Sequence, residues 1–110
     1  MKYMFLLFHA ESPELGSPEQ MAAWGAFEAY LAERGGKLSG EALQPSATAT
    51  VVSVRGGETM TTDGPFAETK EQIGGYYVID CANLDEAVEI ATKIPWAPTG
   101  YIEVRPIIEF

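Results

Sequence analysis

The segment from Lys2 to Phe8 places the tightest constraint on the fold, because it is almost entirely aromatic and aliphatic. A strand whose successive side chains are all apolar has no polar face, so both of its faces need a cover. The sequence therefore predicts that the chain opens with a strand buried inside a layered structure. With 110 residues, 46% of them hydrophobic, the chain is expected to form one domain, residues 1–110.

Two helices are predicted from their start and stop signals. The first begins after Ser17, a residue that caps helix N-termini, and ends near Arg34, where Gly35 follows. The second begins after Asn83, another capping residue, and is stopped by Pro95. Apolar residues at helical spacing predict the buried face of the second helix, which consists of Leu84, Ala87, Val88, Ala91 and Ile94.

The other strand patterns lie between and after the helices. The pair Gly56-Gly57 is typical of a two-residue hairpin turn and joins two of these strands. Pro106 lies inside the last strand and predicts an edge strand or a bulge, because proline has no N–H for the ladder. The predicted strands cover residues 37–43, 47–55, 58–62, 73–81 and 101–108.

The order of these elements predicts an α+β fold. If the hairpin is an addition, the order is that of a ferredoxin-like split βαβ fold. Two helices cover only one face of such a sheet, yet the first strand and much of Tyr76 to Ile79 are apolar on both faces. A second sheet is the simplest cover for the other face, so we expect a homodimer that packs sheet to sheet.

The charge of the chain excludes some partners. Sixteen Asp and Glu residues against seven Lys and Arg give a net charge of -9, and the cations are scattered singly. Such a surface repels phosphate, so we expect neither a nucleic-acid nor an anionic membrane partner. The apolar run Met4 to Phe8 is too short to span a bilayer, and the N-terminus lacks the pattern of a signal peptide.

Cys81 is the one cysteine, so no internal disulfide can form, which fits a cytoplasmic protein. Its place at the apolar end of a strand predicts a small buried side chain rather than a nucleophile. With one His, one Cys and no acids at ligand spacing, no metal site is predicted. The Gly56-Gly57 and Gly74-Gly75 pairs lack the context of a phosphate-binding loop, so any enzyme activity is expected to need no cofactor.

Residues 62–71, TDGPFAETKE, form a distinctive loop between two strand patterns, here called the Gly-Pro loop. Gly64 and Pro65 fix its turn, the carboxylate of Asp63 can bond the amides of that turn, and Phe66 can anchor the loop on apolar surface. This loop, together with the opening MKYMFLLF and the late segment at residues 104–107, VRPI, resembles the DGPF subgroup of the YCII-related family.

The resemblance implies a ferredoxin-like monomer that forms a dimer of the α+β barrel type, with a cavity beside the sheet for small apolar or acidic organic molecules. It also implies that some members carry out cofactor-free acid/base chemistry with a His-Asp pair, whose His lies early in the first helix. Here residues 17–21 read SPEQM, and Gln20 is the counterpart of that His. An amide cannot take up a proton near neutral pH, so the His-Asp mechanism does not transfer directly.

His9 and Asp63 are the residues predicted to act as an acid/base pair. His9 follows the first strand, and its reference pKa of about 6.5 suits proton transfer at neutral pH. The structural alternative is a strand-end ring bonded to a backbone carbonyl. Asp63 can orient a base or act as one, and its structural alternative is the turn-capping role already described.

Thr62, Phe66, Lys70 and Arg105 are the predicted substrate contacts. Lys70 and Arg105 would supply positive charge to an organic anion; the alternatives are a solvated loop for Lys70 and an ion pair with an acid such as Glu103 for Arg105. Four aromatic residues are assigned either to a pocket wall or to the core: Trp24, Tyr76, Tyr77 and Trp96.

These residues and the resemblance leave two candidate functions. The first is a cofactor-independent acid/base enzyme acting on a small organic acid, and the second is a non-catalytic dimeric module that binds a small molecule or has a regulatory role. The two functions differ in what they require of His9 and Asp63. An enzyme that uses both needs their side chains in one cavity, within reach of one water molecule.

Overall fold

The computed structural model describes all 110 residues, which form six strands and two helices. Short 3-10 turns at Pro13–Gly16 and Ser46–Thr48 interrupt the connections. The strands are β1 (Lys2–Ala10), β2 (Lys37–Ala42), β3 (Thr50–Arg55), β4 (Glu58–Asp63), β5 (Glu71–Asp80) and β6 (Tyr101–Pro106), and the helices are α1 (Pro18–Arg34) and α2 (Leu84–Thr92).

The main sheet has four strands in the order β2-β5-β1-β6, and every neighbouring pair is antiparallel. Without the hairpin, this is the strand order of a ferredoxin-like split βαβ fold, so the predicted fold class is confirmed. β3 and β4 form a separate two-stranded sheet. β6 is an edge strand, as Pro106 predicts.

The hydrophobic core lies between the main sheet and the two helices. Tyr3, Phe5 and Leu7 alternate along β1 toward the helices and are almost fully buried. The large side chains of Leu31 and Ile79 meet them there, also fully buried. Burying a side chain of this size contributes about 1.5–3 kcal/mol, so each of these residues is a substantial source of stability.

The helix caps form as predicted. The hydroxyl of Ser17 accepts a hydrogen bond from the N–H of Gln20 (3.2 Å), and the side chain of Asn83 accepts one from the N–H of Glu86 (2.9 Å). These bonds satisfy backbone donors that have no partner inside the helix. Gly35, with a φ of 79°, ends α1.

The predicted buried face of α2 is partly wrong. Ala87, Ala91 and Ile94 are buried, but Leu84 and Val88 are about half exposed, and Ile90 is buried in their place. Two overlapping stripes of apolar residues run along this helix, and spacing alone does not say which of them faces the core. α2 also ends at Thr92 instead of continuing to Pro95.

The β3–β4 hairpin protrudes from the rest of the chain. Its turn is formed by Gly56 and Gly57, both at positive φ, as the Gly-Gly pair predicts. The radius of gyration is 15.9 Å, against roughly 13 Å for a compact domain of this length. Val52 and Met60 are more than half exposed on the hairpin.

The Gly-Pro loop that follows the hairpin does not pack on apolar surface. The ring of Phe66 is 92% exposed, so the prediction that it anchors the loop is wrong for the single chain. The turn is fixed by its backbone: Gly64 adopts a φ of 94°, and its N–H donates to the carbonyl of Ala49 (2.7 Å). The loop joins the base of the hairpin to β5, and nothing in the single chain covers the ring there.

One face of the main sheet has no helix against it, and we call it the open face. Met4, Leu6 and Phe8 point to this face, opposite to the core residues of β1. The ring of Phe8 stacks on that of Tyr101 with 4.8 Å between the centroids. The molecule is only 18 Å across in its shortest dimension, which is consistent with one sheet and one helix layer. None of its helices is long and apolar enough to cross a membrane.

Candidate functional site

A cavity of about 680 Å³ opens between α1 and the neighbouring ends of β2 and β5. The loop after β1 and the segment after β2 complete its walls. Aliphatic, aromatic and acidic side chains contribute to the lining, which includes Leu7, His9, Glu11, Leu15, Met21, Trp24, Glu28, Glu41, Leu43, Gln72, Ile73, Tyr76, Tyr77 and Trp96.

Aromatic rings form one side of the cavity. The rings of Trp24 and Trp96 meet edge to face with 5.6 Å between centroids, and Trp24 stacks loosely on Tyr77 at 6.5 Å. Trp24 comes from α1, Tyr77 from β5 and Trp96 from the loop after α2, so three distant parts of the chain build this wall. These three aromatics thus serve both predicted roles, because each lines the cavity while Tyr77 belongs to the buried core and Trp24 and Trp96 pack against it.

Gly74 leaves the room that Trp96 occupies. A Cβ at this position would lie 2.5 Å from Cζ3 of the indole, closer than real side-chain contacts allow. The pairing of β1 with β5 shifts register here, since Leu7 faces Gly75 and Phe8 faces Ile73. Gly74 therefore makes room for the indole of the aromatic wall, whereas Gly75 lies close to the backbone of Glu41 on β2.

His9 lies at the end of β1, and its ring is 5.3 Å from that of Trp96. Its Nδ1 is 2.7 Å from the carbonyl oxygen of Ala10, which can only accept a hydrogen bond, so Nδ1 carries a proton. Its Nε2 is 2.7 Å from the hydroxyl of Thr99. In the neutral ring Nε2 accepts from that hydroxyl, and both nitrogens are then engaged. The structural alternative for His9 is thus observed, and its catalytic role stays a prediction.

Glu28 is a wall residue that sequence reasoning did not single out. Its carboxylate accepts a hydrogen bond from the hydroxyl of Tyr77 (2.6 Å) and forms an ion pair with Lys37 (3.0 Å). The hydrogen bond from Tyr77, followed by the hydrogen bond and charge of Lys37, holds the pKa of Glu28 below its usual range, although burial opposes the shift. Burial, with Glu28 as second cause, raises the pKa of Tyr77. The sequence did contain a signal for Glu28. It follows Trp24 by four residues, so the two side chains lie on the same face of α1.

Two buried polar atoms near the cavity have no partner in the protein. They are the indole nitrogen of Trp96 and the amide oxygen of Gln20. Gln20 lines a second, more polar depression of about 410 Å³ that also contains His9. Gln20, which the resemblance predicts to be the counterpart of the helical His, therefore lines the same depression as His9.

The predicted substrate contacts and Asp63 lie away from the cavity in the single chain. Thr62 and Asp63, the first residues of the Gly-Pro loop, are the last two of β4, and Lys70 lies near the other end of that loop. Arg105 is on the open face. Its guanidinium lies 4.0 Å from the carboxylate of Glu103, and this ion pair is the structural alternative that the sequence predicted. Only His9 of the predicted site residues is part of the cavity wall, and the roles assigned to the others stay predictions.

The Gly-Pro loop is nevertheless connected to the rim of the cavity. The side-chain amide of Gln72, a wall residue, donates to the carbonyls of Ala67 and Thr69, both at 3.0 Å. The 3-10 turn before the hairpin is held in a similar way, because the carboxylate of Glu11 accepts from the N–H of Ser46. Wall residues therefore hold the chain on both sides of the β3–β4 hairpin: Glu11 before it and Gln72 after it. No three His, Cys, Asp or Glu side chains are grouped where they could hold a metal ion.

Comparison with known proteins shows the family of the chain. The model of the YCII-related domain matches residues 1–110. A protein of Rhizobium meliloti (strain 1021), described as uncharacterized, is 51% identical over 75 residues. That alignment covers 66% of this chain and 60% of the length of the relative. Since the family model spans the whole chain, the chain belongs to the YCII-related domain family.

Proposed function

We propose that the chain is a homodimeric small-molecule-binding module whose ligand occupies the cavity between α1 and the ends of β2 and β5. The observation that carries the proposal is the cavity itself. Its volume of about 680 Å³ is within the range of pockets that bind small organic molecules, and its wall joins aromatic rings to a few polar groups.

The acid/base enzyme is the second candidate, and His9 is the observation in its favour. Its ring lies in the cavity wall, and Nε2 can receive a proton if Thr99 turns its hydroxyl away. Asp63 is absent from the wall of the same chain. An acid/base pair needs both side chains at one reacting group, and only His9 is in the cavity wall. The binding module is therefore the better supported function.

The open face supports the dimer. It presents apolar side chains on adjacent strands, with Met4, Leu6 and Phe8 on β1 and Val78 on β5. A second sheet packed on it would bury roughly 2,000 Å² or more in total, the size of an obligate interface. Leu6→Asp should weaken the dimer in analytical ultracentrifugation, whereas Leu84→Asp, on the exposed side of α2, should not. Wild-type protein that sediments as a monomer at micromolar concentration would refute this part.

The two tryptophans of the chain, Trp24 and Trp96, both line the cavity. Intrinsic tryptophan fluorescence therefore reports on the proposed site. A screen of small aromatic and aliphatic compounds should yield ligands that change this fluorescence saturably and raise the melting temperature. Trp96→Phe should weaken binding while leaving the protein folded. Hits whose affinity is unchanged in both Trp24→Phe and Trp96→Phe would place the ligand elsewhere.

A further inference from the structure

We propose that the β3–β4 hairpin is an arm that packs on the second copy of this chain, with the face that carries Val52 and Val54 turned toward that copy. This inference rests on the homodimer of the proposed function. It adds a second intersubunit contact to the one expected at the open face.

The hairpin has little support within its own chain. β3 and β4 pair only with each other, and none of residues 50–63 is buried. An isolated two-stranded hairpin is marginally stable at best in water, and a third strand or a packed face normally stabilises one. The hairpin therefore needs a cover that the single chain does not provide.

One face of the hairpin is suited to packing. In the ladder Val52 lies opposite Thr61 and Val54 lies opposite Thr59, so these four side chains share one face, here called the Val-Thr face. All four residues are exposed, and both valines are more than half exposed. β-branched side chains fit a pleated surface that another layer covers. The Val-Thr face is thus an apolar, uncharged surface open to solvent.

The opposite face is less suited to a partner. Ser53 lies there opposite Met60, and Arg55 opposite Glu58, so this face carries the two charged side chains next to the turn. Val51 and Ser53 are already partly buried. The Val-Thr face is therefore the one that we assign to the contact with a partner.

The distribution of charge favours a second copy as that partner. Two chains that each carry a net charge of -9 repel each other, so a contact between them needs surface of low net charge. Residues 46–62 contain one cation, Arg55, and one anion, Glu58, which face each other across the ladder. The hairpin is therefore neutral, and the net charge of the chain lies on the rest of the molecule.

The hairpin also continues the surface that the dimer is expected to use. The molecule measures 48 and 40 Å along its two longer axes and 18 Å along the shortest, so the hairpin extends the plate of sheet and helices sideways. The chain returns from it into β5, where the exposed Ile73 lies opposite Phe8, and Phe8 stacks on Tyr101 on the open face. Apolar side chains of the open face thus reach the edge from which the hairpin leaves. In a two-fold dimer each hairpin makes the same contact with the other copy.

Two matched variants test the assignment by sedimentation. Val54→Asp and Met60→Asp add the same charge to the same hairpin, at positions that are 57% and 55% exposed but lie on opposite faces. Val54→Asp should raise the Kd of the dimer by at least about thirtyfold, because a two-fold dimer buries this valine twice. Met60→Asp should change the Kd by less than about fivefold. Circular dichroism confirms that each variant is folded.

Hydrogen exchange tests the cover of the hairpin without a substitution in it. The amides of residues 50–63 should exchange slowly in dimeric wild type and at least about tenfold faster in monomeric Leu6→Asp, whose hairpin has lost its cover. Wild type diluted below the Kd of the dimer gives the same comparison with the natural sequence.

The outcomes separate the arm from the dimer itself. If wild type is a monomer at micromolar concentration, the dimer of the proposed function fails, and the arm fails with it. If wild type is a dimer that Val54→Asp does not weaken, the arm is overturned and the dimer at the open face stands. A larger effect of Met60→Asp than of Val54→Asp would overturn the assignment to the Val-Thr face. Equal exchange of the hairpin amides in monomer and dimer would show that the second copy does not cover the hairpin.

Discussion

Gly74→Ala should destabilise the protein because the added methyl group collides with the cavity wall. Its Cβ would lie 2.5 Å from Cζ3 of Trp96 and closer still to Cη2, both atoms of the six-membered ring. The ring has little freedom to retreat, since it is 5.6 Å from the ring of Trp24 and 5.3 Å from that of His9. Forcing an extra carbon into such a site typically costs about 1–3 kcal/mol.

Gly25→Ala is the matched control, with the same chemical change and the opposite expected sign. Gly25 lies within α1, and a Cβ there meets no heavy atom within 4 Å. Alanine in place of a glycine inside a helix stabilises by roughly 0.5–1 kcal/mol. The free energies of unfolding of both variants are measured in urea by far-UV circular dichroism, which does not depend on the tryptophans.

The double variant Gly74→Ala/Trp96→Phe identifies the cause. Phenylalanine lacks the outer ring atoms that the new Cβ would strike, so the cost of Gly74→Ala should fall to below about 1 kcal/mol in this background. If Gly74→Ala is as stable as wild type, the indole moves freely into the cavity and is not a fixed wall. If the two costs simply add, Trp96 is not the group that the methyl meets.

Three shorter predictions follow from burial and charge. Burial raises the pKa of the Cys81 thiol, which is 2% exposed, so it should react with thiol reagents only as fast as the protein unfolds; rapid labelling of native protein would contradict this. Because the pKa of Glu28 is lowered from 4.5, its bonds to Tyr77 and Lys37 stabilise the fold at neutral pH, and this contribution should be lost as the pH falls below 4.5. Urea unfolding of Glu28→Gln should therefore show a weaker loss of stability with acid than wild type, and identical pH profiles would refute it. Phe66→Ala should change the free energy of unfolding by less than about 0.5 kcal/mol, since the ring is 92% exposed; a larger cost would mean that the ring is covered in solution.

The sequence determined the elements and their order, because the signals for both are local. Ser17 and Asn83 start the helices by bonding N–H groups three residues ahead, and Gly56-Gly57 sets the hairpin turn through its positive φ angles. Strand alternation and the place of Pro106 led to the ferredoxin-like arrangement and to its edge strand. Each of these depends on a few neighbouring residues and on the backbone geometry they allow.

The tertiary structure alone decided which residues share the site. Trp24 and Trp96 meet because Gly74, beside the register shift between β1 and β5, leaves room for an indole, and no local pattern encodes that contact. Asp63 and His9 both end strands, but β4 belongs to a separate protruding hairpin, so the same kind of position in the sequence leads to different places. Local preferences fix the direction and period of each element. Contacts between distant side chains depend on register, rotation and the space that neighbours leave, and these are properties of the packed molecule.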